Sequence, residues 1–299
     1  MAVSQTSPRR TTTRRKFLKG GLIAAAGLAV YAGEIERHYI DVTHHVVAIE
    51  GLPAAFEGAR IAQVSDIHLD EFTEPLFLDY AIKVVNDLNA DYVVLTGDYV
   101  SHEFGSMKFA RGSAWQCANM LRNIKCSQRY AILGNHDALV GSRLVQAALN
   151  DNGIPALVNT YTPLERAGSR IWLAGLDDTD VGRPRVDLAI PERIRGIADE
   201  PVILLCHEPD YADKVVASPA GQAVALMLSG HTHGGQVRFP LIPPFNLPKG
   251  GRKYVEGWFR FGNMQLYVNR GLGTIGVPFR FNCPPEISVF TLHRAEAAA

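Results

Sequence analysis

Short apolar runs rich in β-branched residues recur along the chain, and each stops at a small cluster of Asp, Asn, His and Gly. Residues 60–64 run into Asp66, 92–95 into Asp98, 130–133 into Asn135, 202–205 into His207 and 224–228 into His231. Runs with so few polar interruptions read as strands buried on both faces. Between the first of them, residues 78–88, 114–124 and 143–149 repeat apolar positions at spacings of three and four, the pattern of helices with one buried face. Strand, loop and helix alternate, which predicts an α/β fold with every polar cluster in a loop just past the carboxyl end of a strand. Further strand-like runs at 170–173, 265–268 and 287–292 predict a second sheet packed on the first. No internal repeat, low-complexity tract or linker follows residue 40, so residues 33–299 read as one domain.

The chain has 299 residues, 47% hydrophobic and 20% charged, enough to bury a core around such a site. Its formal net charge of zero hides an asymmetry. Residues 1–32 hold six Lys and Arg and no acid, which leaves 24 of the 30 basic residues against all 30 acidic ones. A mildly acidic body argues against a nucleic-acid scaffold as partner, because such surfaces need clustered Lys and Arg.

Thr13-Arg14-Arg15-Lys16-Phe17-Leu18-Lys19 precedes an Ala/Gly-rich apolar run at 20–32, which is short for a membrane span. This segment resembles a twin-arginine export signal, with Val30-Tyr31-Ala32 as the cleavage site. The resemblance implies the twin-arginine export machinery as a partner and folding around a cofactor before export. It also implies a location in the periplasm, the cell envelope or the outer face of the inner membrane. An uncleaved anchor with membrane-surface association is the alternative. Cys117, Cys126, Cys206 and Cys283 form no C-x-x-C pair and are too few for a disulfide scaffold. Cys206 reads as a small buried hydrophobe.

The polar clusters are Asp66-Ile67-His68, Gly97-Asp98, Gly134-Asn135-His136-Asp137, His207-Glu208 and Gly230-His231-Thr232-His233, and they contain five of the ten histidines. Oxygen and imidazole ligands in this mixture suit Mn, Fe or Zn, not Ca or a thiolate zinc site. Two such cations about 3.5–4 Å apart orient a hydroxide, clamp a phosphoryl group and absorb charge on the leaving oxygen. In extended backbone, 66 and 68, and likewise 231 and 233, would point the same way.

In order and spacing, D-x-H, G-D, G-N-H-D, H and G-H-x-H, the chain resembles the calcineurin-like metallophosphoesterases across nearly the whole body. The resemblance implies a four-layer α/β/β/α sandwich, two mixed β-sheets flanked by helices. It implies that Asp66, His68 and His233 hold one metal, that Asn135, His207 and His231 hold the other, and that Asp98 bridges both. The expected ions are Mn, Fe or Zn, with Mn the first choice, although oxygen and nitrogen ligands alone do not fix the metal. His136 resembles the family's non-ligand histidine, which stabilises the transition state or protonates the leaving alkoxide. Asp137 is assigned a turn or supporting hydrogen bond, and Asp70 and Glu208 are read as solvated loop groups.

Gln236-Val237-Arg238-Phe239-Pro240 opens a Pro/Gly-rich loop at 241–251, followed by Tyr254 and Trp258. Arg238 is a candidate partner for a phosphate oxygen, and Phe239 or Trp258 for an apolar wall. Gly230–Gln236, Asn269–Gly273 and Arg280–Glu286 resemble the branch of exported or membrane-associated phosphodiesterases related to UDP-2,3-diacylglucosamine pyrophosphatases of lipid A biosynthesis. A nucleotide-linked lipid is made in the cytoplasm, so the export signal favours phosphodiesters of the envelope as substrate. Neither Leu241-Ile242-Pro243-Pro244-Phe245 nor Phe279 excludes an apolar groove for acyl chains. An inactive binding protein on the same fold is disfavoured, because Asp98 and His136 are both present.

Overall fold

Neighbouring residues of the central strands belong to different cores, and that alternation builds the layers. In β2 (Arg60–Val64) Ile61 packs between the sheets while Ala62 and Val64 pack under helices. In β3 (Tyr92–Leu95) Tyr92 and Val94 face inward while Val93 and Leu95 face the helices. The second sheet mirrors this. In β7 (Val202–Leu205) Ile203 and Leu205 join the inter-sheet core, and Val202 and Leu204 join a third core beyond it. Period-two side-chain alternation turns each apolar run into a two-sided surface.

The computed structural model describes residues 14–69, 72–102, 107–197, 199–244 and 247–295; Thr13, Asp70 and Phe245 lie outside the described residues. The first sheet adds β1 (Asp41–Ile49), β4 (Arg129–Ala131) and β11 (Glu286–Arg294), in the order β1-β11-β2-β3-β4. Its β1/β11, β2/β3 and β3/β4 pairs are parallel and β11/β2 is antiparallel. The second contains β5 (Thr160–Arg166), β6 (Ser169–Gly175), β8 (Val224–Ser229), β9 (Gly257–Phe261) and β10 (Met264–Val268), ordered β5-β6-β7-β8-β10-β9 with antiparallel edges. The expected pair of mixed sheets is therefore present.

Helices α2 (Pro75–Asp87), α3 (Met107–Leu121) and α4 (Asn135–Asp151) cover the first sheet. Pro75 opens α2, where its missing N–H costs nothing. All three begin earlier than the apolar spacing indicated; in α4 the first turn, Asn135-His136-Asp137, is polar and carries no periodic signal. The short helices α5 (Val186–Ala189) and α6 (Ala212–Ala217) cover the second sheet through Ala189, Ala212 and Val215. Gln63 ties the two sheets together. Its Nε2 donates to Thr96 Oγ1 at 3.0 Å and to the Ser229 carbonyl at 2.9 Å, both buried. Losing that donor would strand a buried carbonyl at a cost of about 1–3 kcal/mol. Upstream of the body, α1 (Arg14–Val30) leads through a further helical turn at 31–38 into β1.

Candidate metal centre

Five mutually aligned strand ends deliver the polar clusters to one place. Asp66 and His68 follow β2, Asp98 follows β3, Asn135 and His136 open α4 after β4, His207 follows β7, and His231 and His233 follow β8. The site thus straddles both sheets at the carboxyl ends of their parallel strands, where open α/β sheets collect function.

The local backbone is not extended there. Asp66, His68, Asp98, His231 and His233 all have φ between 50° and 74°. Strand alternation therefore does not aim the paired ligands, and left-handed turns do so instead. That region costs a non-glycine residue roughly 1–3 kcal/mol, and it persists where surrounding structure holds it. Two glycines make the approach feasible. A Cβ on Gly134 would overlap Asp98 Oδ1, and one on Gly230 would overlap Ser65 Oγ and Asp66 Oδ2.

Two groups of donors result. Atoms of Asp66, His68 and His233 lie within 4.8 Å of one another, as do atoms of Asp98, His207 and His231, and all six residues are buried. In each imidazole one nitrogen faces a protein oxygen. His207 Nδ1 donates to the Thr96 carbonyl at 2.6 Å, His231 Nε2 to the Lys249 carbonyl at 2.8 Å, and His233 Nδ1 to the Gly273 carbonyl at 3.3 Å. His68 Nδ1 lies 3.0 Å from Ser101 Oγ. A carbonyl only accepts, so the opposite nitrogen of those three rings is bare in the neutral form, as metal ligation requires.

The nitrogen atoms that face away from these partners converge. His68 Nε2 and His233 Nε2 approach to 3.1 Å. His207 Nε2 and Asn135 Oδ1 are buried with no hydrogen-bond partner, although His207 Nε2 stands only 3.1 Å from Asp98 Oδ2. Asp98 Oδ2 also lies 3.7 Å from His68 Nε2, so one carboxylate reaches both groups. Burial lowers the basicity of His68 and His233 and keeps them neutral. Burial works against charge on Asp98, yet His207 and His136 outweigh it and hold that carboxyl well below its usual range, while Asp98, against the opposing effect of burial, raises the His207 imidazole well above its own. A buried carboxylate that draws positive charge this strongly, beside the orphaned Asn135 Oδ1, fits a pair of cations.

His136 stands beside them with its ring centroid 5.0 Å from that of His68. Its backbone N–H donates to Asp98 Oδ1 at 3.0 Å. Asp137 is fully buried and accepts from the N–H groups of Asp98 at 2.8 Å, Tyr99 at 2.9 Å and Gly134 at 3.0 Å. It clamps the loop of Asp98 to the start of α4.

A cavity of about 800 Å³ opens above the centre. Asp98, Asn135, His136, His231 and His233 line it together with Phe239, Val277, Phe279 and Phe281. Phe239 thus reaches the cavity, whereas Arg238 pairs with Glu256 at 2.6 Å and is not among the lining residues. Trp258 packs on His45 and Tyr267, and the Tyr254 hydroxyl donates to Asp213 at 2.8 Å. Glu208 is not a solvated loop group. It is buried and accepts from Thr179 N and Oγ1, because the 177–182 loop folds over it.

Sequence reasoning missed Arg280. It is fully buried and donates to the carbonyls of Arg270, Gly271, Gly273 and Cys283, with Nη2 3.5 Å from His233 Nδ1. It gathers the 270–283 loop around a ligand candidate. The only local signal was a cation between two phenylalanines.

The family model described as calcineurin-like phosphoesterase matches residues 59–235. An uncharacterized metallophosphoesterase, YkuE, of Bacillus subtilis is 36% identical over 94% of this chain and 97% of its own length. Phosphodiesterase YaeI of Escherichia coli is 29% identical over 94% of this chain and 99% of its own. A Danio rerio transmembrane protein with a metallophosphoesterase domain is 31% identical over 92% of this chain and 62% of its own. This chain belongs to the calcineurin-like phosphoesterase family and is a metal-dependent phosphoester hydrolase.

Proposed function

We propose that the protein is a phosphodiesterase that works outside the cytoplasm on two cations, with Mn favoured. Asp66, His68 and His233 would hold one ion, Asn135, His207 and His231 the other, and Asp98 would bridge them. The observation that carries this is the convergence of bare imidazole nitrogens and the orphaned Asn135 Oδ1 on one carboxylate. When bound, the cations supply Lewis-acid charge for the phosphoryl and leaving oxygens. The chain's own contribution is positional. His136, which lines the same cavity, would stabilise the transition state by a hydrogen bond to a phosphoryl oxygen or protonate the departing alkoxide.

A relative named as a phosphodiesterase supports diester or pyrophosphate substrates. The paired arginines ahead of an apolar helix support export by the twin-arginine route. A second reading, a UDP-2,3-diacylglucosamine pyrophosphatase, is favoured by the apolar residues that line the cavity.

The test is hydrolysis by the full-length protein, stripped of metal and reloaded with Mn. The substrates are phosphomonoesters, simple phosphodiesters, nucleotide diphosphates and UDP-2,3-diacylglucosamine. Generic diesters as the best substrates support the first reading, and a much faster lipid nucleotide supports the second. No Mn-dependent turnover of any of them overturns both. Arg14-Arg15→Lys-Lys is expected to leave the protein in the cytoplasm, and unchanged fractionation would remove the case for this export route.

A further inference from the structure

The junction between α1 and the body is built into the fold, unlike a segment designed to be cut away. Ala32 is 6% exposed, and its carbonyl accepts from the buried N–H of Arg280 at 3.0 Å. A Cβ on Gly33 would sit 3.0 Å from Phe279 Cε1, so the bare glycine lets that ring close on the backbone. Glu36 is buried and accepts from Cys283 N at 2.6 Å. Arg37 donates to the Phe72 carbonyl at 3.0 Å and pairs with Glu74. Cleavage after Ala32 would remove the acceptor of a buried N–H, and proteases cut exposed, loosely held chain.

Upstream, the helix looks outward. Phe17, Leu18, Leu22, Ile23 and Val30 are exposed, and the helical run Arg15–His38, whose residues 32–38 dock on the body, is 24 residues long and by length and composition alone a candidate to enter a membrane. Arg15, Lys16 and Lys19 stand at its start. Positive charge stays on the cytoplasmic side, which puts the catalytic body on the other.

The same helix reaches the site. Ala25, Leu28 and Ala29 line the cavity of the metal centre together with Phe239, Val277 and Phe279. One cavity is therefore lined both by ligand candidates of the body and by apolar residues of α1.

We propose that α1 remains attached in the mature protein, anchors it, and forms one wall of the substrate cavity, so that the enzyme hydrolyses a membrane amphiphile whose apolar tail lies along Leu28 and Phe279. This rests on the phosphodiesterase reading and names its substrate class. Water adds to phosphorus, the bond from phosphorus to the leaving oxygen breaks, and the alcohol departs with a proton.

The full-length protein, purified from membranes, is reconstituted with Mn into phosphatidylcholine vesicles and given p-nitrophenyl diesters carrying a methyl, octyl or hexadecyl group. The intact mass should include α1, and a mature form beginning at Gly33 overturns the proposal. The kcat/KM of the hexadecyl ester should exceed that of the methyl ester by at least about tenfold, the effect of burying two methylene groups. Leu28→Asp should collapse that ratio, as should the milder Phe279→Ala, which controls for misfolding of the first variant. Equal kcat/KM across chain lengths, or a ratio untouched by both variants, overturns the lipid wall while leaving the phosphodiesterase reading intact. Failure to cleave even the methyl ester removes that reading and the proposal with it.

Discussion

The backbone N–H of His102 donates to His136 Nδ1 at 3.2 Å. A peptide N–H can only donate, so Nδ1 is the bare nitrogen and the proton of the neutral ring sits on Nε2. The loop after β3 thereby sets the tautomer whose Nε2–H can donate a hydrogen bond to a phosphoryl or leaving oxygen. His136→Ala is expected to lower kcat by about 10²–10⁴-fold while metal content stays near that of the native protein. Elemental analysis alongside single-turnover kinetics checks this, and native rates in the variant would remove His136 from the chemistry.

Asp98 and Asp137 should fail differently. Asp98 approaches both histidine groups, so Asp98→Ala is expected to lose both metal and hydrolysis. Asp137 touches no ligand side chain in these contacts but satisfies three backbone N–H groups around Asp98 and Gly134. Asp137→Asn would turn an amide NH₂ toward one of those donors, at a cost of about 1–3 kcal/mol. The expected outcome is a lower melting temperature with weakened Mn binding. A substituted protein that melts and binds Mn like the native one would contradict this clamp.

Asp178 gives a pH dependence with a definite sign. Burial first, then the neighbouring Glu208, push its carboxyl up to about 7 from the ordinary 3.8, although the N–H groups of Val181 and Gly182 stabilise the charged form. Between those values the folded chain holds a proton that the unfolded chain has released, so stability falls as pH rises from about 4 to 7. With solvent screening allowed for, the native protein should lose about 1–2 kcal/mol between pH 5.5 and 8.5 through this group. Asp178→Asn should flatten that difference in urea melts of the Mn-loaded protein. Parallel pH profiles for the two proteins would show that Asp178 ionises normally.

The legible part of this protein is the part that each strand end carries by itself. A buried strand announces itself by an apolar run, and a ligand cluster at its end is contiguous in sequence, so β2 with Asp66 and His68, or β8 with His231 and His233, needs no knowledge of the rest of the chain. The two-sheet sandwich follows from the same runs, because strands apolar on both faces need cover on both. Edge strands were harder. β5 and β9 alternate polar and apolar residues with half-exposed faces, a weaker signal than the continuous runs of the centre.

What the tertiary structure alone decided lies in contacts between distant segments. Arg238 could face a phosphate or a carboxylate, and only the fold puts Glu256 against it. Arg280 stands between two phenylalanines in sequence, and only the fold wraps its guanidinium in carbonyls of the 270–283 loop. Gly33 and Phe279 are 246 positions apart, yet their contact joins α1 to the cavity over the metal centre. Ligand identity is written locally because a strand and its following loop are one continuous piece of backbone. The substrate wall is assembled from pieces that share no period and no proximity in sequence, so only packing brings them together.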